Sequence, residues 1–327
     1  MPKQLIDIDV RTMRGLEIGP LASPVVRKDE GDVLYVDHAN AEGLRAKYAK
    51  DPGMQDRLGG IVDVDYVTQP GQSLWDLVGH DGPFDYVIAS HLVEHIPDMV
   101  GWMQDVASVL REGGILSLVL PDKRYCFDIN RSVTEISDVI DAHQRRLTRP
   151  SYGQVYDAFS KVIDVDCTAA WEGTVDYSTM RRSDCEDPDL SAMEYCRNVL
   201  ASDQFVDVHC HVFTPRSFLD IVHALIRLKL LDFEISSFFP TERGTFEFFV
   251  SLRLVSSQSS SVSQGRQLGS VEKALAILEE SEGRTSQPGP TARHTGPMGV
   301  SDLERRAILA KRAGMSALRS SLRRIHT

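Results

Sequence analysis

The apolar positions of the first 125 residues follow two alternating rhythms. Five short runs read as strands: "GLEIG" (15–19), "DVLYVDHA" (32–39), "GGIVDVDYV" (59–67), "FDYVIASH" (84–91) and "GGILSLVLP" (113–121). The last two are near-continuous apolar runs, the pattern of strands buried on both faces. Between them Val100, Met103, Val106, Ala107 and Leu110 recur at three- and four-residue spacing, which predicts a helix. Pro97-Asp98 suits its start and Gly113-Gly114 its end. Strands alternating with helices predict a parallel sheet covered on both faces.

The pattern changes from about residue 125 to 205. This stretch is polar and weakly periodic, with helices expected at "VTEISDVIDAHQRRL" (133–147) and "DLSAMEYCRNVLA" (189–201). It reads as an inserted cap on the substrate side. Sheet and helix signals then return. Thr214-Pro215 is a cap followed by a first-turn proline, and Phe218, Ile221, Val222, Leu225 and Leu228 mark one apolar face. "DFEISSFFP" (232–240) and "FEFFVSLRLV" (246–255), joined through "TERG", predict a hairpin with the last strand antiparallel. The expected fold is therefore α/β: a Rossmann-like, mostly parallel seven-stranded sheet with a helical insertion after strand five. The corresponding units are an N-terminal extension (1–13), one domain (14–255), a flexible Ser/Gly/Pro-rich linker (256–300) and a basic tail (301–327). Within the linker, "SVEKALAILEESEG" (270–283) has the pattern of a short helix.

Composition adds limits. The chain has 327 residues, 42% of them hydrophobic, and a formal net charge of −11. The tail carries seven Arg/Lys against Asp302 and Glu304, a formal +5 that leaves −16 on the remainder. An acidic body is a poor general partner for nucleic acid, so none is expected. The tail, with Ile308, Met315, Leu318, Leu322 and Ile325 on one face, suits a partner protein, an anionic surface or the chain's own acidic body, against the plainer reading of a solvated end. No apolar run reaches the length of a membrane span, and residues 1–15 lack a secretory h-region. Five cysteines (126, 167, 185, 196, 210) without a CxxC argue against a disulfide framework, so a cytoplasmic location is expected. Homo-oligomerisation is left open.

Acid spacing carries the chemistry. Glu17 ends the first strand and Asp37 the second, 20 residues on. Ligands of open parallel sheets bind beyond the carboxyl ends of the strands, where an acid can accept hydrogen bonds from ribose hydroxyls. A dinucleotide would also need a bare glycine turn against its pyrophosphate. Here Leu21 and Pro24 crowd that turn, and Glu17 repels phosphate. A ribose-bearing, phosphate-free cation fits, and S-adenosylmethionine is such a ligand.

"LEIGP", "VDHA", "FDYVIASHLVEHIPD" and "LREGGILSLVLP" together resemble the core motifs of the class I S-adenosylmethionine-dependent methyltransferases, nearest the type 11-like branch. The resemblance covers residues 14–125 by motif and 206–255 by topology. It implies that Glu17, Gly19 and Pro20 form the turn at the methionine part, and that Asp37, beside His38, binds ribose. It places Asp63 or Asp65 at adenine, and Ser90 and His91 beside the reactive methyl. Pro20, Leu21 and Ser23 stand where the family has glycines.

Methyl transfer to an alcohol needs proton removal, which favours a nearby His or carboxylate. His91, His95, Asp122, His209 and His211 are the candidate bases. His95 also suits a cap or packing role at a helix entry. In "DVHCHVF" His209 and His211 share a face if the segment is extended, as a substrate-facing pair or as packed side chains. No third ligand is evident beside them, so no metal is expected. Lys123, Arg124 and Tyr125 follow strand five at the same edge and suit an anionic group on the acceptor, or a solvated turn; Arg145, Arg146, Arg181 and Arg182 point the same way more weakly. "PDKRY" and "HVFTP" resemble bacterial methyltransferases found with surface-polysaccharide machinery, which implies O-methylation of a sugar or polysaccharide-related acceptor in glycan biosynthesis. The alternatives are a small carboxylate- or hydroxyl-bearing metabolite, and an inactive methyltransferase fold serving as a binding subunit.

Overall fold

The computed structural model describes residues 2–51, 53–69, 71–175, 187–201, 206–255 and 261–285. Arg181, Arg182, Cys185 and the basic tail lie outside them. Seven strands form one sheet: β1 (Arg14–Ile18), β2 (Asp32–Asp37), β3 (Tyr66–Val67), β4 (Phe84–Ser90), β5 (Leu110–Pro121), β6 (Phe233–Phe239) and β7 (Glu247–Leu254). Their order is β3-β2-β1-β4-β5-β7-β6. β1 to β5 pair in parallel, and β7 runs antiparallel to both of its neighbours. The expected fold class is the one observed.

Nine helices are described: α1 (Ala41–Tyr48), α2 (Leu74–Val78), α3 (Met99–Val109), α4 (Ile136–Gln144), α5 (Tyr152–Lys161), α6 (Cys167–Glu172), α7 (Pro188–Ala201), α8 (Pro215–Arg227) and α9 (Ser261–Thr285). Alternation along β4 divides the core. Val87 and Ala89 pack with Val100, Met103 and Val106 of α3 and with Phe218, Val222 and Leu225 of α8. Tyr86 and Ile88 face the other way, onto Leu5, Ile8, Val26, Val33 and Tyr35. The N-terminal extension thus belongs to the core of that face. Gly15 is required by the same packing, because a Cβ there would lie 1.9 Å from the Tyr86 ring.

Several elements depart from the sequence pattern. The run 59–67 yields only the two-residue β3, because Ile61 and the chain before it turn into a small cluster with Ala41, Leu44 and Met54. β5 begins at Leu110, so Gly113 (φ 76) sits in a bulge of that strand rather than at a helix end. Leu228, expected on the buried face of α8, is exposed at its C-cap.

The largest departure is α9, a 25-residue helix within the stretch expected as linker. Val271, Ala274 and Leu278 are buried against the core. The Gln267 amide donates to the carbonyls of Leu231 and Phe233, and Ser270 Oγ accepts from Ile235 N–H. α9 therefore covers the outer edge of β6, whose backbone groups would otherwise be unpaired. Its three-residue and four-residue apolar spacing is short, and only tertiary burial makes it decisive.

The insertion has a core of its own. Val155, Ala158 and Phe159 of α5 meet Ala192, Tyr195 and Cys196 of α7 around Val206, Val208 and Cys210. With 206, 208 and 210 buried in this cap, Asp207 and His209 take the opposite side of the segment. The cap thereby delivers a histidine and a carboxylate to the sheet edge.

Candidate active site

The strand order reverses between β1 and β4, so the crevice beyond their carboxyl ends is the ligand position of an open parallel sheet. Gly19 follows β1 directly with φ 71, and its N–H donates to Val36 O at 2.8 Å. The space where a Cβ would stand is open to beyond 4 Å. That combination of left-handed backbone and a bare face suits close approach of a ligand. Leu21 also has positive φ, at 49. Its side chain turns away from the crevice into the cluster of Ala41, Leu44, Met54 and Ile61, and its carbonyl accepts from Val62 N–H. The bulky residues that replace glycines thus anchor the loop from beneath.

Glu17 is buried, and its carboxylate accepts Val25 N–H at 2.7 Å and Val26 N–H at 3.1 Å. It shapes the turn by holding the far side of the loop instead of facing a ligand. Burial raises its pKa to about 7, against the lowering effect of the two backbone donors. Asp37 ends β2, where its Oδ1 receives His38 N–H at 2.7 Å and lies 2.6 Å from His38 Nδ1. Among the described residues both contacts fall on Oδ1.

No helix stands between β1 and β2. A pyrophosphate would therefore find no helix N-terminus at this turn. The open cradle at Gly19, the carboxylate of Asp37 and the missing phosphate site fit a ribose-bearing, phosphate-free cofactor. Asp65 is drawn away from that role, since it holds Lys28 Nζ at 2.5 Å and Tyr35 N–H at 2.7 Å. Asp63 is exposed. Ser90 closes β4 next to His91.

A second cluster of ionisable side chains gathers around a 3-10 turn at Val93–His95. His91 (φ 51) lies with Nε2 2.5 Å from Glu247 Oε1 and Nδ1 3.3 Å from Glu94 Oε1, so that the ring stands between two carboxylates. Glu94 is fully buried, and its backbone carbonyl accepts Cys210 N–H and His211 N–H, which ties the turn to the cap. Burial opposes its ionisation, but the hydrogen bond and charge of His91, with His95 and His209, bring its pKa down to about 2.

His95 Nδ1 lies 2.8 Å from Asp207 Oδ1, and His209 Nδ1 lies 2.6 Å from Asp128 Oδ2. The two imidazoles meet edge to face with centroids 4.6 Å apart, and Phe127 lines the other side of His209. Asp128 is itself fixed by Arg131 Nη1 at 2.8 Å, and Arg131 Nη2 donates to His209 O. Against burial, His209 and Arg131 hold the Asp128 carboxyl far below its usual range. Asp207 is held low in the same way, by His95 and then Lys47.

The strand-end carboxylate Asp37 and the histidine cluster are joined. From Asp37 the contacts run through His38, whose Nε2 is 3.2 Å from Lys47 Nζ, and on to Asp207 at 3.5 Å and His95. Lys47, Glu94, Asp128, Asp207 and Glu247 are the members that sequence reasoning passed over. The Asp-x-His spacing of 207 and 209 and the Glu-His pair at 94–95 were the available signals.

Other expected residues lie apart. His211 is buried, donates Nε2–H to Pro97 O at 3.2 Å and stacks near Phe213; burial lowers its pKa to about 4. It and His209 therefore do not act as a pair. Asp122 is locked against Arg124 and Thr241 and is structural. Arg124 is neutralised by Asp122 at 2.7 Å and by Glu282 of α9 at 3.1 Å. Lys123 Nζ donates to Ile129 O. Both cations thus have partners within the chain. Tyr125 stacks on Trp171 with centroids 3.7 Å apart, and Arg124 lies near its ring. Arg145 pairs with Asp141 on the surface.

The family described as a methyltransferase domain matches residues 32–225, more than half of the chain. No curated protein matches. Among solved structures, a methyltransferase from Methanosarcina mazei is 16% identical over 78% of this chain and 98% of its own, with a TM-score of 0.39. One from Mesorhizobium loti is 16% identical over 75% and 92%, with a TM-score of 0.35. The CurJ carbon methyltransferase is 12% identical over 78% of this chain and 50% of its own, with a TM-score of 0.35, so the chain spans about half its length.

Proposed function

This chain belongs to the S-adenosylmethionine-dependent methyltransferases, and we propose that the methyl goes to a hydroxyl oxygen of a sugar or polysaccharide-related acceptor. The cofactor, when bound, supplies a methyl already activated on a sulfonium. Gly19 gives it an open backbone turn and Asp37 a ribose acceptor. What remains for the protein is to place the nucleophile and lower the cost of its proton.

The observation that carries the reading is the His209–Asp128 contact beside Glu94 and His95. Asp128 at Nδ1 favours the tautomer with its proton there, so that Nε2 of His209 is the basic position assigned to draw on the acceptor's hydroxyl. A carboxylate acceptor would need no such group. The charge balance supports a neutral acceptor as well: Glu94, Asp128, Asp207 and Glu247 surround the cluster, while Lys123 and Arg124 are already engaged.

Transfer of labelled methyl to a glycan extract, run against a panel of small carboxylic acids, tests the reading. Label in the glycan fraction that His209→Ala removes supports it. Label confined to the acids would refute it.

A further inference from the structure

We propose that Glu94, His95 and His209 form a binding site for one divalent first-row transition-metal ion, with two imidazole nitrogens and one carboxylate oxygen as ligands. The proposal rests on the reading of this cluster as the acceptor end of the site. It changes that reading in one respect: with Nε2 of His209 on the cation, the cation would polarise the acceptor's hydroxyl and the proton would pass to solvent rather than to the imidazole.

One ligand atom from each of the three side chains lies within 4.8 Å of the others. This is the two-histidine, one-carboxylate donor set that suits zinc(II) and iron(II) and leaves positions open for an oxygen ligand.

Two further observations point to a cation. The first is Glu94 itself. It has no exposure, and its Oε2 has no hydrogen-bond partner among the described residues. His91 reaches only Oε1, at 3.3 Å. A buried carboxylate oxygen without a hydrogen-bond donor calls for a partner, which a cation would supply. The second is the shell behind the histidines. Asp207 stands at Nδ1 of His95 and Asp128 at Nδ1 of His209. A carboxylate behind each imidazole fixes the ring and raises the basicity of the opposite nitrogen, the arrangement that orients metal-bound histidines. With each Nδ1 turned to its carboxylate, Nε2 is the ligating atom. Arg131, on Asp128 and Asp157, holds this shell from outside the cluster.

The sequence pointed to a different pair. His209 and His211 looked like a half-site lacking a third ligand, but His211 is spent on Pro97 O. The remaining ligands come from the Glu-His turn after β4, more than a hundred residues earlier.

The test is titration of the full-length, chelator-stripped protein with cobalt(II), followed by its visible absorption, and with zinc(II) by calorimetry. No acceptor is present. One equivalent should bind. His209→Ala and His95→Ala should each abolish binding while the stripped variants remain folded by circular dichroism, and Asp128→Asn should weaken it about 10- to 100-fold. Absence of binding, or binding that both alanine variants leave unchanged, overturns the proposal. Transfer to glycan that persists without metal overturns this inference alone. Metal binding without any transfer to hydroxyl acceptors overturns the acceptor reading alone.

Discussion

Asp128→Asn is the most informative single change. Asp128 Oδ2 lies 2.6 Å from His209 Nδ1 and its Oδ1 receives Arg131 Nη1 at 2.8 Å, with both carboxylate and guanidinium nearly sealed from water. An amide turned to keep its oxygen toward Arg131 presents its NH2 to the ring. To accept that bond the ring must carry its own proton on Nε2, the position assigned to the hydroxyl. A correctly placed proton acceptor contributes about 10²- to 10⁴-fold in rate. The expected loss of turnover is therefore about 10²- to 10⁴-fold, or roughly 3–5 kcal/mol of barrier. The cost to stability is smaller. Arg131 keeps Asp157 at 2.7 Å, so no charge is left stranded, and about 1–2 kcal/mol is expected. The assay is single-turnover methyl transfer at saturating cofactor, paired with thermal unfolding and calorimetric cofactor affinity. Turnover within about threefold of the unaltered protein, at equal cofactor affinity, would refute the reasoning. Loss confined to cofactor affinity would refute it too, because Asp128 would then serve the other half of the crevice.

Asp37→Ala removes a charged acceptor from the ribose position, and calorimetry should show cofactor affinity down about 10- to 100-fold with little change in turnover at saturation. Glu17 predicts an unusual pH slope. Its folded pKa of about 7 exceeds the ordinary 4.5, so its stabilising contribution is complete below about 4.5 and is lost as pH rises toward 7. Melting curves of Glu17→Gln should thus gain on the unaltered protein between about pH 5 and 8, and a constant difference would contradict the assignment. Gly15→Ala would push a methyl into the buried Tyr86 ring, with an expected loss of about 1–3 kcal/mol in denaturant unfolding.

Much of the fold was legible because its signals are local. β4 and β5 announce burial on both faces by uninterrupted apolar runs, and α8 by its Thr-Pro start. The strand-end positions of Glu17, Gly19 and Asp37 were readable for the same reason, since they follow from the runs before them, but not that Glu17 turns onto the Val25 and Val26 amides. The histidine cluster was not readable. His209 and Asp128 are 81 residues apart, and Asp207 reaches His95 across the same insertion. Nothing local distinguishes Asp128 from Asp122, yet one orients an imidazole and the other neutralises Arg124. Arg124 itself looked available because the short helix read at 270–283, which carries Glu282, has no place in the fold until it is seen packed against β6 and α8.

Whether the methyl ends on a neutral hydroxyl is tested most directly by the stability of the product bond. A methyl ether on a sugar survives mild alkali, whereas a methyl ester releases methanol. Labelled glycan product treated with alkali should retain its label in the non-volatile fraction. Release of the label as methanol would mean a carboxylate acceptor, and would contradict the role of His209 and Asp128 in drawing on a hydroxyl.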